Sequence, residues 1–143
     1  MRYYLYEDEL ITILKTKYPN LVTCSNPYSR YDLYTDNSIV ELKSRRSNYL
    51  SYIIEKSKYD ALIELGKKLH KEVYYIVSDL NNIYIFDLNK VEIDWRFNSA
   101  STRTDFDGGV VTTRLQGFID IRQAYVPFDY VTLKNLKQKI IKS

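Results

Sequence analysis

Residues 31–45, YDLYTDNSIVELKSR, restrict the fold more than any other stretch of this chain. Apolar and polar residues alternate on both sides of Thr35-Asp36-Asn37-Ser38, the pattern of two short strands joined by a turn. That turn sets a register in which Tyr34 faces Ile39, Leu33 faces Val40, and Asp32 faces Glu41 across an antiparallel hairpin. Side chains alternate along a strand, so Asp32, Glu41 and Lys43 share one face while Leu33, Val40 and Leu42 take the opposite, core-facing side. Two carboxylates set directly opposite each other repel. A cation between them relieves the repulsion, and a metal ion with Lys43 beside it is the economical solution.

Composition narrows the choice of ion. The chain has one cysteine, Cys24, and one histidine, His70, which rules out an internal disulfide, a thiolate zinc cage and a multi-histidine site. Carboxylates and carbonyls are left as ligands, and these suit magnesium, with manganese as the alternative. The 143 residues, 45% hydrophobic and 27% charged, are expected to form a single domain over residues 1–143. No stretch is long and apolar enough to span a bilayer. Acids stand in MRYYLYEDEL where a secretory signal would have its apolar core, so an intracellular, cytoplasmic protein is expected.

Apolar residues recur at helical spacing from Leu5 to Tyr18, and Pro19-Asn20 ends the run. Leu21 to Cys24 is β-prone and leads to the hairpin. Ser47-Asn48 reads as a helix cap ahead of an amphipathic stripe from Glu55 to Leu69, whose last turn Gly66 weakens. Glu72–Ser78 and Ile83–Leu88 read as strands joined through Asp79–Asn82, and Val91–Phe97 as a further strand. A polar loop is expected over Asn98–Gly109, then a β-like run from Val110 to Leu115 and a final helix from Tyr130 to Ile141. Helix, strands, helix, strands, helix is the order of an α/β or α+β layer fold.

With the D…ExK residues on a hairpin between two helices, the chain resembles the PD-(D/E)XK nuclease superfamily. The match runs from Tyr6 to Leu88 in element order, with Tyr31 where the superfamily has a nominal proline. The resemblance implies a restriction-endonuclease-like core, a central mixed β-sheet flanked by helices. It implies a magnesium-dependent DNA endonuclease in which Asp32, Glu41 and the Leu42 carbonyl bind one or two ions and Lys43 positions or helps deprotonate the attacking water. Many members add a glutamate from the first helix. Helical spacing puts Glu7 on the stripe of Leu10, Ile11 and Leu14, ahead of Glu9 and Asp8, although a helix starting later would leave it as a dipole-stabilising acid. Small members of this kind resemble phage and archaeal Holliday-junction resolvases, which act on branched DNA as homodimers. A noncatalytic DNA-binding or assembly module that kept the fold is the alternative.

Net charge is only +3, so the distribution of charge has to indicate a DNA-binding face. Arg45 and Arg46 follow the acidic pair, and Lys56 and Lys58 come soon after; these four are the candidate nucleic-acid contacts. For Lys56 and Lys58 a solvated helix face is the competing reading. The C-terminal lysines read equally as a basic tail. Glu55 and Tyr59 loosely match a QxxxY element of some branches, with glutamate for glutamine. The 15 tyrosines suggest base stacking, but most fall in strand-like runs where cross-strand packing accounts for them. Ser99–Gly109, with Arg103, Asp105 and Asp107, would touch DNA or form a hairpin tip.

Overall fold

The computed structural model describes residues 2–101 and 111–141. Its first helix, α1, spans Glu7–Lys17 and buries Leu10, Ile13 and Leu14 along one stripe. Glu7, Asp8 and Glu9 favour its positive end, and Glu9 accepts the Tyr6 N–H at 2.8 Å, the return half of a capping box. Two short strands follow, β1 (Val22–Thr23) and β2 (Leu33–Tyr34), then β3 (Ser38–Ser44). β4 (Ser51–Glu55) runs directly into α2 (Lys56–Leu69), and β5 (Glu72–Ser78) and β6 (Ile83–Asp87) form the next hairpin. β7 (Asp94–Ser101), β8 (Val111–Asp120) and α3 (Tyr130–Ile141) complete the order.

Among the described residues the strands make two sheets, one of five strands in the order β1-β2-β3-β5-β6 and one of three in the order β4-β8-β7. The larger sheet is mixed: β3 and β5 are parallel, with α2 in the crossover, and its other pairs are antiparallel. Among the described residues the fold is thus mixed α/β with three α-helices. On one face of the large sheet Leu33, Val40, Leu42 and Ile76 pack with Leu10, Ile13 and Leu14 of α1 and Leu133 of α3. On the other face Ile39, Val73, Tyr75, Val77 and Phe86 meet Leu62 of α2 and Tyr52, Ile54 and Ile119 of the small sheet. Among the described residues no helix is long and apolar enough to cross a membrane.

The expected register holds where the ladder exists, with Tyr34 paired to Ile39 and Leu33 to Val40. The third rung is different. The Asp32 N–H donates to the Val40 carbonyl at 2.8 Å, one residue short of Glu41, so Asp32 leaves the ladder instead of facing Glu41 as a cross-strand pair. Ser47-Asn48 caps no helix. Asn48 Oδ1 accepts the Leu80 N–H at 2.9 Å, the intervening SYIIE is strand β4, and α2 starts after Glu55. The polar stretch from Asn98 is strand as far as Ser101, with Asn98 paired to Arg114; Arg103, Asp105 and Asp107 lie outside the described residues.

α2 ends at His70, whose φ of 56° and ψ of 44° put it in the left-handed region. One turn earlier, Gly66 lets the helix approach β5: a Cβ built there would lie 2.5 Å from Val73 Cγ2 and 3.0 Å from the Lys71 carbonyl. Alanine's better helix propensity contributes about 1 kcal/mol, but the clash is with a β-branched core residue and with backbone. Gly66→Ala is therefore expected to lower stability by about 1–3 kcal/mol in urea denaturation, and an unchanged or raised midpoint would refute this account of the glycine.

Candidate active site

β3 delivers Glu41 to the face covered by α2, next to Tyr75 across the parallel ladder. Glu41 is only 6% exposed. Its Oε1 lies 3.3 Å from Lys58 Nζ, which comes from the first turn of α2. Asp32, displaced from the ladder, turns its carboxylate onto the strand it left, and Oδ2 accepts the Leu42 N–H at 2.8 Å. The two acids still interact. Burial first, and the Asp32 charge second, push Glu41 up to about 7, against the pull of Lys58 and Lys43.

Glu7 joins them from α1. It is exposed, so the expectation of an inward-buried acid is corrected, yet its carboxyl lies close enough to Asp32 and Lys43 to feel both charges. Loss of water on its inner side, then the Asp32 charge, raises its pKa, and Lys43 opposes the rise. Glu9 is spent elsewhere, in a two-pronged pair with Arg2 at 2.5 and 2.8 Å. The N-terminal segment is tied down at both ends of the fold: the Ser44 hydroxyl donates to the Leu5 carbonyl, and the buried Lys137 donates to the Tyr3 carbonyl at 3.1 Å.

Glu41, Lys43, Arg45 and Lys58 line a cleft of about 370 Å³ together with Ile53, Glu55, Tyr75 and Gln116. A larger cavity of about 520 Å³ lies on the opposite face of the sheet against Val40 and Ile76, and none of the site's carboxylates borders it. Volume therefore does not mark this site; charge does.

The four basic candidates separate. Arg45 reaches the Tyr75 hydroxyl, which itself donates to the Ile53 carbonyl at 3.0 Å and is pushed up to about 12 by burial. Lys58 is the ion-pair partner of Glu41, a role that lysine spacing alone did not indicate. Lys56 pairs with Asp60 at 2.7 Å and sits 4.8 Å from the Trp95 ring, and Arg46 lies over the Tyr4 ring. Glu55 is held by Gln116 at 2.8 Å, while Tyr59 packs edge-on against Trp95. Gln116 left no signal in the sequence, because only the pairing of β4 with β8 brings it beside Glu55. Cys24 is half-buried.

The donor set suits a hard divalent cation: Asp32 and Glu41 offer oxygen, and their mutual repulsion is what such an ion would remove. Among the described residues no three Asp, Glu, His or Cys side chains gather closely enough to enclose an ion alone, so backbone oxygen and water would have to complete its shell. Compared with known proteins, the chain matches no family model and no curated sequence.

Because the folded carboxyl of Glu41 titrates near 7 and an unfolded one near 4.5, its stabilising effect is complete below about pH 4.5 and is lost as pH rises through 7. Discounted for residual solvent, the loss is about 2 kcal/mol between pH 5 and 8, and Glu7 acts in the same direction. In metal-free urea titrations Glu41→Gln should flatten most of this fall and be more stable than the native chain at pH 8. An equal fall in both proteins would show that Glu41 does not carry it.

Proposed function

We propose that the chain is a magnesium-dependent endonuclease of the PD-(D/E)XK superfamily that hydrolyses DNA phosphodiester bonds. The gathering of Asp32, Glu41, Lys43 and Glu7 at one end of the β2–β3 hairpin carries this reading. The order α1, hairpin, α2 and further strands supports it, being that of the superfamily's restriction-endonuclease-like core. Asp32, Glu41 and the Leu42 carbonyl would hold magnesium, or manganese in its place. When bound, the ion supplies a Lewis acid for the phosphoryl oxygen and lowers the pKa of the water it carries.

The chain's own residues do the rest. Lys43, exposed beside the carboxylates, orients the attacking water and offsets charge on the phosphate. Glu7, at the mouth of the site, accepts a hydrogen bond from that water. Lys58 opposes the protonation of Glu41 and so favours the anionic form that a ligand needs. Arg45 lines the cleft where the DNA backbone would lie, with Arg46 and Lys56 farther out. Branched DNA and a homodimer fit a protein this small, since phosphate contacts from two subunits can read shape without touching base edges. The Glu41–Lys58 ion pair would equally steady a noncatalytic DNA-binding module, which is the second reading.

Cleavage decides between them. With linear, supercoiled and four-way-junction DNA, the native chain should cut at least one substrate with magnesium and none without it. Lys43→Ala and Asp32→Ala should each slow cutting by about 100-fold or more. Cutting that survives Lys43→Ala would overturn the mechanism, and binding with no cutting on any substrate would favour the module.

A further inference from the structure

Beside the cleft, at the other side of the end of β3, arginines and tyrosine rings form a continuous surface. The Arg2 guanidinium lies 3.9 Å from the Tyr6 ring centre and 5.3 Å from that of Tyr4. Arg46 lies 4.4 Å from the Tyr4 ring centre, and the two rings meet edge to face at 5.7 Å. Tyr6 is 51% exposed, whereas the rings that build the core, such as Tyr52 and Tyr75, are 2% and 1% exposed. Packing does not account for the outer surface of Tyr6.

The charges on this surface are unequal. Glu9 neutralises Arg2, and Glu7 is turned toward Asp32. Asp8 is exposed one residue on, while Arg46 is exposed and forms no ion pair with any described residue. A planar, weakly hydrated guanidinium laid on aromatic rings stacks well on a nucleobase, and the same guanidinium can reach a phosphate. Inside a duplex each base already stacks on its neighbours, so only an unpaired or terminal base can use such a surface. Arg46 is the chain neighbour of Arg45, which lines the cleft, and Tyr6 is that of Glu7, so the surface adjoins the edge of the cleft.

We infer that Tyr4, Tyr6 and Arg46 form a stacking subsite for an unpaired DNA base next to the phosphate held in the cleft. The position of the cut relative to that base rests on the nuclease reading, whereas the stacking chemistry does not. The subsite would direct the protein to junctions, flaps and frayed ends in preference to continuous duplex.

Binding without cutting tests it. Fluorescence anisotropy in chelator would compare a blunt duplex with the same duplex bearing a single-stranded tail, for the native chain, Tyr6→Leu and Tyr6→Trp. Tyr6→Leu should weaken binding of the tailed DNA by about five- to thirty-fold and of the blunt duplex by less than about two-fold, and Tyr6→Trp should restore it. Equal affinity of the native chain for both DNAs, or an equal loss on both in Tyr6→Leu, overturns the subsite. Thermal melts confirm that the variants fold. Tyr6-dependent binding in a protein that never cuts with magnesium leaves the subsite standing and removes the nuclease reading. Magnesium-dependent cutting with no Tyr6 effect on binding does the reverse.

Discussion

β3 is paired along both edges and covered on both faces, and the rest of the structure is arranged around that confinement. Seven consecutive rungs join it to β5, and β2 closes its other edge near the turn. A strand buried on both sides would ordinarily be apolar throughout. Here Ile39, Val40 and Leu42 obey the rule, and Glu41, between them, breaks it. A buried carboxylate is tolerated only with partners, and Lys58 from one side and Lys43 from the other are close enough to serve. The same enclosure that makes Glu41 costly also strengthens every charge interaction around it.

Asp32 shows how a short hairpin can place two acids near each other without setting them face to face. Had the ladder continued, Asp32 and Glu41 would have stood as a like-charged cross-strand pair. Instead the backbone slips by one residue at Val40, and the carboxylate accepts the Leu42 N–H. Burial and the nearby Asp32 charge push Glu41 up to about 7, with Lys58 and Lys43 opposing them.

Much of this was legible in the sequence because it is local. The helices at both ends, the β5 strand and the Tyr34–Ile39 and Leu33–Val40 pairs follow from periodicity and turn chemistry, which need only neighbours in the chain. What failed was decided by distant partners. SYIIE looks like the approach to a helix until β8, more than sixty residues later, pairs with it from Ser51↔Asp120 to Glu55↔Gln116. Ser47-Asn48 has the composition of a cap, but Asn48 bonds across to Leu80. Lys58 reads as one of several helix lysines, and only the docking of α2 on β3 selects it over Lys56. Glu7 was placed by its helical face, yet it reaches Asp32 while remaining exposed, because the approach of the α1 terminus to β3 is fixed by backbone contacts of Leu5 and Tyr3 that no periodicity encodes.

The small sheet explains why the cleft can be rigid in so short a chain. Glu55 is both the last residue of β4 and the residue that opens α2, so no loop separates the strand from the helix. Lys58 is therefore positioned by the pairing of β4 with β8 as much as by the packing of α2 on the core. Tyr75 locks the other direction: its ring is buried on β5 and its hydroxyl bonds the Ile53 carbonyl of β4, joining the large sheet to the small one beside Glu41. The packing of Tyr52, Ile54 and Ile119 on the large sheet, the Tyr75 hydroxyl bonded across to β4 and a helix continuous with a strand together set the cleft's width. Such a wall can hold a lysine at ion-pair distance from a buried carboxylate at little further cost in side-chain entropy.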